Sequence, residues 1–143
     1  MSCMEAVNGR DYALRPAEPG DRGFVCSTWL RDYGEHSAFA RKIAQADYRL
    51  FHGLVIDRIL SRAHVAVACD VTDPSVLYGF IVWEPGVLQY AYVKRAFRRM
   101  GIFQALMRLA ELGDEFKFSH LSYTGEGLWR NWFPRASYNP YIL

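Results

Sequence analysis

The stretch YVKRAFRRMGIFQAL, residues 92–106, decides how this chain is read. It leaves an apolar strand, passes the cations Lys94, Arg95, Arg98 and Arg99, reaches Gly101 and runs into a helical pattern. In that pattern Ile102, Ala105, Leu106, Leu109 and Leu112 share one face. The first turn of a helix leaves backbone N–H groups unpaired and carries the positive end of the helix dipole, so a strand-to-helix turn can hold phosphate oxygens. Gly101 puts no side chain between backbone and ligand. The same residues also suit a solvated basic loop whose glycine relieves a turn. Neither the phosphate loop ending in Gly-Lys nor the three-glycine dinucleotide fingerprint is present.

Working outward, Gly113 is expected to cap the helix and Phe116 to Tyr123 to return as a strand. A strand, helix, strand unit of this length implies parallel pairing of its strands. Upstream, Val65, Val67 and Cys69 alternate with alanines, Leu77 to Trp83 is a second strand and Val87 to Val93 a third. Polar turns separate them, so residues 64–93 read as an antiparallel meander. Tyr12 to Arg15 is a short strand, and Asp21 stands where a helix N-cap would, ahead of Phe24, Val25, Trp29 and Leu30. The longest helical pattern spans Ser37 to Arg62, with Phe39, Ile43, Ala46, Leu50, Leu54 and Ile59 on one face and Gly53 placed to bend or split it. The tail holds Trp129, Trp132 and Phe133, which suit one short helix, and ends in SYNPYIL.

At 143 residues the chain fits one α/β domain over residues 1–143, with about half its residues apolar. A net charge of +2 argues against a nucleic-acid coat or a membrane-surface protein, so any electrostatic function is local. Cys3, Cys26 and Cys69 lack CxxC spacing, and His36, His52, His64 and His120 form no paired metal motif; neither disulfides nor a metal site is expected. The absence of a long apolar run points to a soluble cytoplasmic protein without membrane partners.

Arg98, Arg99, Met100, Gly101, Ile102 and Phe103 resemble motif A of the GCN5-related N-acetyltransferases, Arg/Gln-x-x-Gly-x-Gly/Ala, with Phe103 in place of the second small residue. The element order and the opening ALRPAEPGD are similar as well, so the resemblance covers Tyr12 to Leu143. VLYGFIVWE, YVKRAFRRMGI and YNPYIL are similar to small acetyltransferase-like proteins of phages and prophages, for which the setting would be the host cytoplasm. The resemblance implies a mixed central sheet in which the antiparallel meander is followed by a parallel unit. It implies acetyl-coenzyme A, or another acyl-coenzyme A, as cofactor. Its pyrophosphate would lie on the amides of Arg99, Met100, Gly101, Ile102 and Phe103 beside Arg98, and its pantetheine arm beside Tyr92 and Val93, between strands that splay apart. The Phe103 side chain would have to point away from the phosphates into the core.

Acyl transfer to an amine calls for removal of a proton and an acid for the leaving thiolate, although positioning can supply much of the acceleration. Glu84, in the turn before the third strand of the meander, is the carboxylate candidate; it also suits a solvated turn. Gln89 and Tyr90, on the third strand of the meander, suit rim or core positions as well as a face toward the substrate. The tyrosine that the family places after its fifth strand is replaced here by Trp129, Trp132 and Phe133, leaving Tyr138 as the preferred acid over Tyr123 and Tyr141. His120, Ser122 and Asp114 lack a nucleophile elbow and read as strand and rim residues, and Cys69 as packing. The acceptor is an amine on a small molecule, a protein or a modified nucleobase. Arg41, Lys42, Arg95 and Arg99 leave nucleic acid conceivable, but the near-neutral charge does not favour it. A homodimer stays open, as does a catalytically inactive binding module of the same fold.

Overall fold

The computed structural model describes residues 5–6 and 12–143; Cys3 lies outside them. The elements are β1 (Glu5–Ala6), β2 (Tyr12–Pro16), α1 (Arg22–His36), α2 (Ala38–Arg41), α3 (Gln45–Leu60), β3 (His64–Asp70), β4 (Leu77–Glu84), β5 (Val87–Val93), α4 (Ile102–Leu109), β6 (Lys117–Phe118), α5 (Tyr123–Asn131) and β7 (Ser137–Tyr138). They build one seven-stranded sheet in sequence order. Pairing is antiparallel from β1 through β5 and parallel for β5 with β6 and β6 with β7. This is the mixed α/β sheet expected, with the meander at residues 64–93 and the parallel unit after it.

Both faces of the sheet are covered, which is why β4 is a near-continuous apolar run. Strand residues alternate between faces. Phe80 and Val82 join the core under α1 and α3, built on Val25, Trp29, Tyr33, Ile56 and Ile59. Ile81 joins the opposite core under α4, with Ile102, Ala105 and Leu106. Each fully buried aliphatic or Phe side chain contributes about 1.5–3 kcal/mol.

Several local expectations need correction. Residues 37–62 are two helices, and the break falls at Lys42 to Ala44, while Gly53 lies inside an unbroken α3. Phe39, Leu50 and Leu54 of the expected face are outward, at 58%, 59% and 56% exposure; of that face Ile59 is buried as expected, and α3 buries Tyr48 and Ile56 with it. The reason is on α1. The Tyr48 ring lies over Gly34, where a Cβ would come within 2.8 Å of it, and its hydroxyl donates to the Leu30 carbonyl at 2.6 Å. An aromatic ring and its hydrogen bond therefore set the rotation of α3 against the pull of the aliphatic stripe.

Asp21 sits at the N-cap position, but its carboxylate makes no cap bond to α1. It receives the Arg15 guanidinium at 2.7 and 3.1 Å and the Glu18 amide at 2.7 Å, inside the protein. Helix α4 ends at Leu109, with Glu111 and Gly113 both left-handed. The expected strand 116–123 pairs only at Lys117 and Phe118, because Ser122 caps α5 by accepting from the Gly125 amide at 3.0 Å.

Gly79 faces Val93 across β4 and β5, and a Cβ there would stand 2.4 Å from the Tyr92 carbonyl oxygen. Gly79→Ala should therefore lower unfolding stability by about 1–3 kcal/mol. Nothing lies within 4 Å of a Cβ built on Gly53, so Gly53→Ala should raise stability, by about 0.5–1 kcal/mol. Urea denaturation measures both; a neutral Gly79→Ala would mean that the two strands can move apart.

Candidate functional site

Strands β5 and β6 pair at Val87–Lys117 and Leu88–Phe118, and the last backbone bond joins the Ser119 amide to the Leu88 carbonyl at 3.2 Å. Beyond that point they part. On the other side of β5, Val82 faces Tyr90 while Trp83 faces Leu88, so Gln89 is an extra residue, a β-bulge. A bulge bends its strand and re-aims side chains. Its effect is visible in the packing. Leu88 and Ala91 turn to the α4 core, Tyr90 and Tyr92 to the α1 core.

The parted strands leave a cavity of about 350 Å³ lined from both faces of the sheet. Such a volume falls among small-molecule sites, which run to about 300–1,000 Å³. On the α4 side its walls include Val93, Arg98, Arg99, Gly101, Ile102 and Phe103; on the α1 side Asp32, His36, Tyr90, Tyr92 and His120. Trp129 and Phe118 form part of the wall from α5 and β6.

At the α4 end, Gly101 (φ 81°) and Arg99 (φ 68°) are left-handed. Glycine adopts this conformation freely, whereas a residue with a Cβ does so at a cost of about 1–2 kcal/mol. Arg98 Nε donates to the Val93 carbonyl at 2.9 Å and ties the loop to the end of β5. The amides of Ile102 and Phe103 belong to the first turn of α4, where no intrahelical acceptor exists. Phe103 is half-buried and meets Phe133 edge to face, 6.3 Å between centroids. Its ring therefore spans from α4 toward the chain after α5, at the cavity wall, and is only partly withdrawn into the core.

At the opposite end a buried hydrogen-bond chain fixes the side chains. Gln89 Nε2 donates to Glu84 Oε2 at 2.8 Å and to the Ile142 carbonyl at 3.0 Å, which leaves its Oε1 to accept from Ser119 Oγ. The Ser119 proton is thereby used, so Ser119 accepts from His120 Nδ1–H at 2.7 Å. His120 Nε2 is then the acceptor for His52 Nε2–H at 2.9 Å. Burial holds both imidazoles neutral. It lowers His120 well below its ordinary value and His52 to about 4. Trp29 and Tyr33 pack edge-on against His120, and Tyr33 and Tyr48 stack on His52.

Beside His120, Tyr90 donates its hydroxyl proton to Asp32 Oδ2 at 2.5 Å, and burial followed by the Asp32 charge raises the Tyr90 pKa. Trp29 stacks on Tyr90 at 5.3 Å and holds the ring.

Of the residues singled out from sequence, Tyr92, Val93, Arg98, Arg99, Gly101, Ile102 and Phe103 line one cavity, and Met100 lies in the same loop without lining it. Glu84 and Tyr138 do not line it. Glu84 is held in an ion pair with Arg62 at 2.9 Å and reaches the site only through Gln89; Tyr138 packs against Phe118 from β7. Asp32 and His36 line the cavity, and His52 stands behind it bonded to His120; the sequence reading missed all three. The signal was the spacing Trp29, Asp32, Tyr33, His36, which puts two titratable groups on or beside the buried face of α1. Among the described residues no group of three or more His, Cys, Asp or Glu gathers as a metal site, and no helix is long and apolar enough to cross a membrane.

No protein-family model matches the chain, and no curated protein does. Solved structures are similar in fold. A ribosomal-protein-alanine N-acetyltransferase of Brucella melitensis is 18% identical over 94% of this chain and 99% of its own, with a TM-score of 0.54. A Pyrococcus furiosus protein described as an acetyl transferase is 20% identical over 70% of this chain and 72% of its own, TM-score 0.57. The apo form of YjaB from Escherichia coli is 16% identical over 73% and 68%, TM-score 0.53. The α/β fold is that of GCN5-related acetyltransferase structures.

The histidine pair makes stability depend on pH. As the pH falls below 6.5 the unfolded chain protonates at His52, whereas the folded chain resists until about 4. The unfolded state then binds more protons, so stability is full above the ordinary histidine value and declines across this window, with His120 acting in the same sense. Urea midpoints measured from pH 7.5 down to 5 should fall, and His52→Gln should flatten the decline. A slope unchanged in that variant would assign the effect to other groups.

Proposed function

We propose that the chain is an acyl-coenzyme A-dependent N-acyltransferase that transfers an acyl group, acetyl first among the candidates, to an amine. The observation that supports this best is the cavity through the sheet. It gives a donor and an acceptor separate approaches from opposite faces and a shared meeting point where β5 and β6 part. Bringing two reactants together in a fixed geometry is the main work of such a transfer.

The residues present fit the donor. The left-handed turns at Arg99 and Gly101 and the first-turn amides of α4 suit a pyrophosphate, with the Arg99 side chain and the remaining nitrogens of Arg98 supplying charge. Tyr92 and Val93 would flank the pantetheine arm on the unpaired edge of β5. Bound there, an acyl-coenzyme A supplies the activated acyl carbon: the amine nitrogen bonds to it, the carbon–sulfur bond breaks, one proton shed by the ammonium ends on sulfur and another in solvent. Tyr90 and neutral His120 wall the acceptor side, and Glu84 acts at a distance by orienting Gln89. Tyr138 supports the Phe118 wall.

One observation favours a second reading, a non-catalytic module of the same fold: Phe103 lies against Phe133 at the cavity wall. Calorimetry separates the two. The transferase reading expects acetyl-coenzyme A to bind with a Kd on the order of micromolar, and Gly101→Asp to weaken it at least about tenfold with the circular dichroism spectrum unchanged. Binding that ignores Gly101→Asp would sink the α4 site. Binding gained only on Phe103→Ala would mark the module.

A further inference from the structure

The carboxylates in the ion pairs of the described residues mostly face an arginine: Asp21 with Arg15, Asp57 with Arg22, Glu84 with Arg62, Glu126 with Arg130, and Asp114 and Glu115 with Arg135. Asp32 differs. Its ionic neighbour among those pairs is His36, with Nδ1 3.1 Å from Oδ1, a group charged only when protonated. Yet the Asp32 side chain is only 19% exposed and lines the cavity. A carboxylate withdrawn from water without a fixed counter-charge is costly, and the cost is relieved when a cation arrives.

The surroundings prepare that arrival. Tyr90 holds Oδ2 with its donated proton, and Trp29 stacked on Tyr90 keeps the pair in place. A carboxylate offers about four lone-pair sites, so Asp32 keeps acceptor capacity beyond Tyr90 and His36. The wall beside it is aromatic, from Tyr90 and Tyr92 to Phe118 and Trp129, which suits an apolar body and the faces of which attract cations. Arg98 and Arg99 stand on the α4 side of the same cavity, so the cavity is positive at one end and negative at the other.

We infer that Asp32, oriented by Tyr90, is a subsite for an ammonium group, and that the acceptor is a small cationic amine with an apolar body. Only the acyl transfer to that amine rests on the reading above; the subsite rests on the Asp32 geometry. A phosphate-bearing acceptor such as a nucleic acid would meet the Asp32 charge with its own and is disfavoured.

The test titrates the full chain, with coenzyme A present, against phenethylamine and n-hexylamine and against the matching alcohols, 2-phenylethanol and 1-hexanol, by tryptophan fluorescence at pH 7. At least one ammonium should bind about tenfold or more tightly than its alcohol. Asp32→Asn, which keeps size and an acceptor for Tyr90, should bring that pair within about twofold while coenzyme A affinity is unchanged. No preference in the unmodified chain, or a preference that survives Asp32→Asn, overturns the subsite. The same samples titrated with coenzyme A alone read the other proposal: an Asp32-dependent ammonium preference without coenzyme A binding supports the subsite and removes the transferase.

Discussion

The structure turns on the place where β5 stops pairing with β6. Two residues of parallel ladder hold them, and then the Gln89 bulge bends β5 away. Opening a sheet interior exposes backbone polar groups, and each needs a partner or water. Side chains around the break supply some of them: Arg98 takes the Val93 carbonyl at the end of β5, and Gln89 ties Glu84, Ser119 and the Ile142 carbonyl of the tail together beside it. The cavity is thus a built feature of the sheet, its walls tied by hydrogen bonds within the protein.

The two faces of the sheet meet this opening with different chemistry. Toward α4 there is backbone and arginine, toward α1 a tight aromatic and histidine assembly. The histidines can be buried because their protons are fully accounted for. Each bond in the chain from Glu84 to His52 has one donor and one acceptor, and no member carries an unpaired charge inside the assembly. That closed accounting explains why neutrality is enforced there, and it keeps positive charge away from the end of the cavity where Asp32 stands.

Much of this was legible before any coordinates. The meander, the parallel unit and the loop before α4 follow from alternation, turn residues and the run of arginines into Gly101, all local signals. What failed was settled by tertiary contact. The aliphatic stripe of residues 39–54 pointed outward because Tyr48 lodges on Gly34, a pairing 14 positions apart in sequence that no periodicity reports. Glu84, the carboxylate sought from sequence, stands outside the cavity lining, whereas Asp32, on a helix, lines it; the fold, not the spacing, carries α1 to the edge of β5. His120 is buried, and its hydrogen-bond partner His52 is on α3 and could not be read from the segment that holds His120.

Overall charge was a poor guide to local electrostatics. A chain with a net charge of +2 holds an arginine end and a carboxylate end within one cavity, and such opposed charges cancel in any sum over the sequence. The backbone gives a second sign that the arginine end is prepared. Arg99 is held left-handed although it has a Cβ, and a non-glycine residue keeps that conformation only where its surroundings fix it. Arg98 does the fixing from one side through Val93, and α4 from the other through the bond from the Ala105 amide to the Gly101 carbonyl. A loop restrained at both ends gives up little further freedom on meeting a ligand.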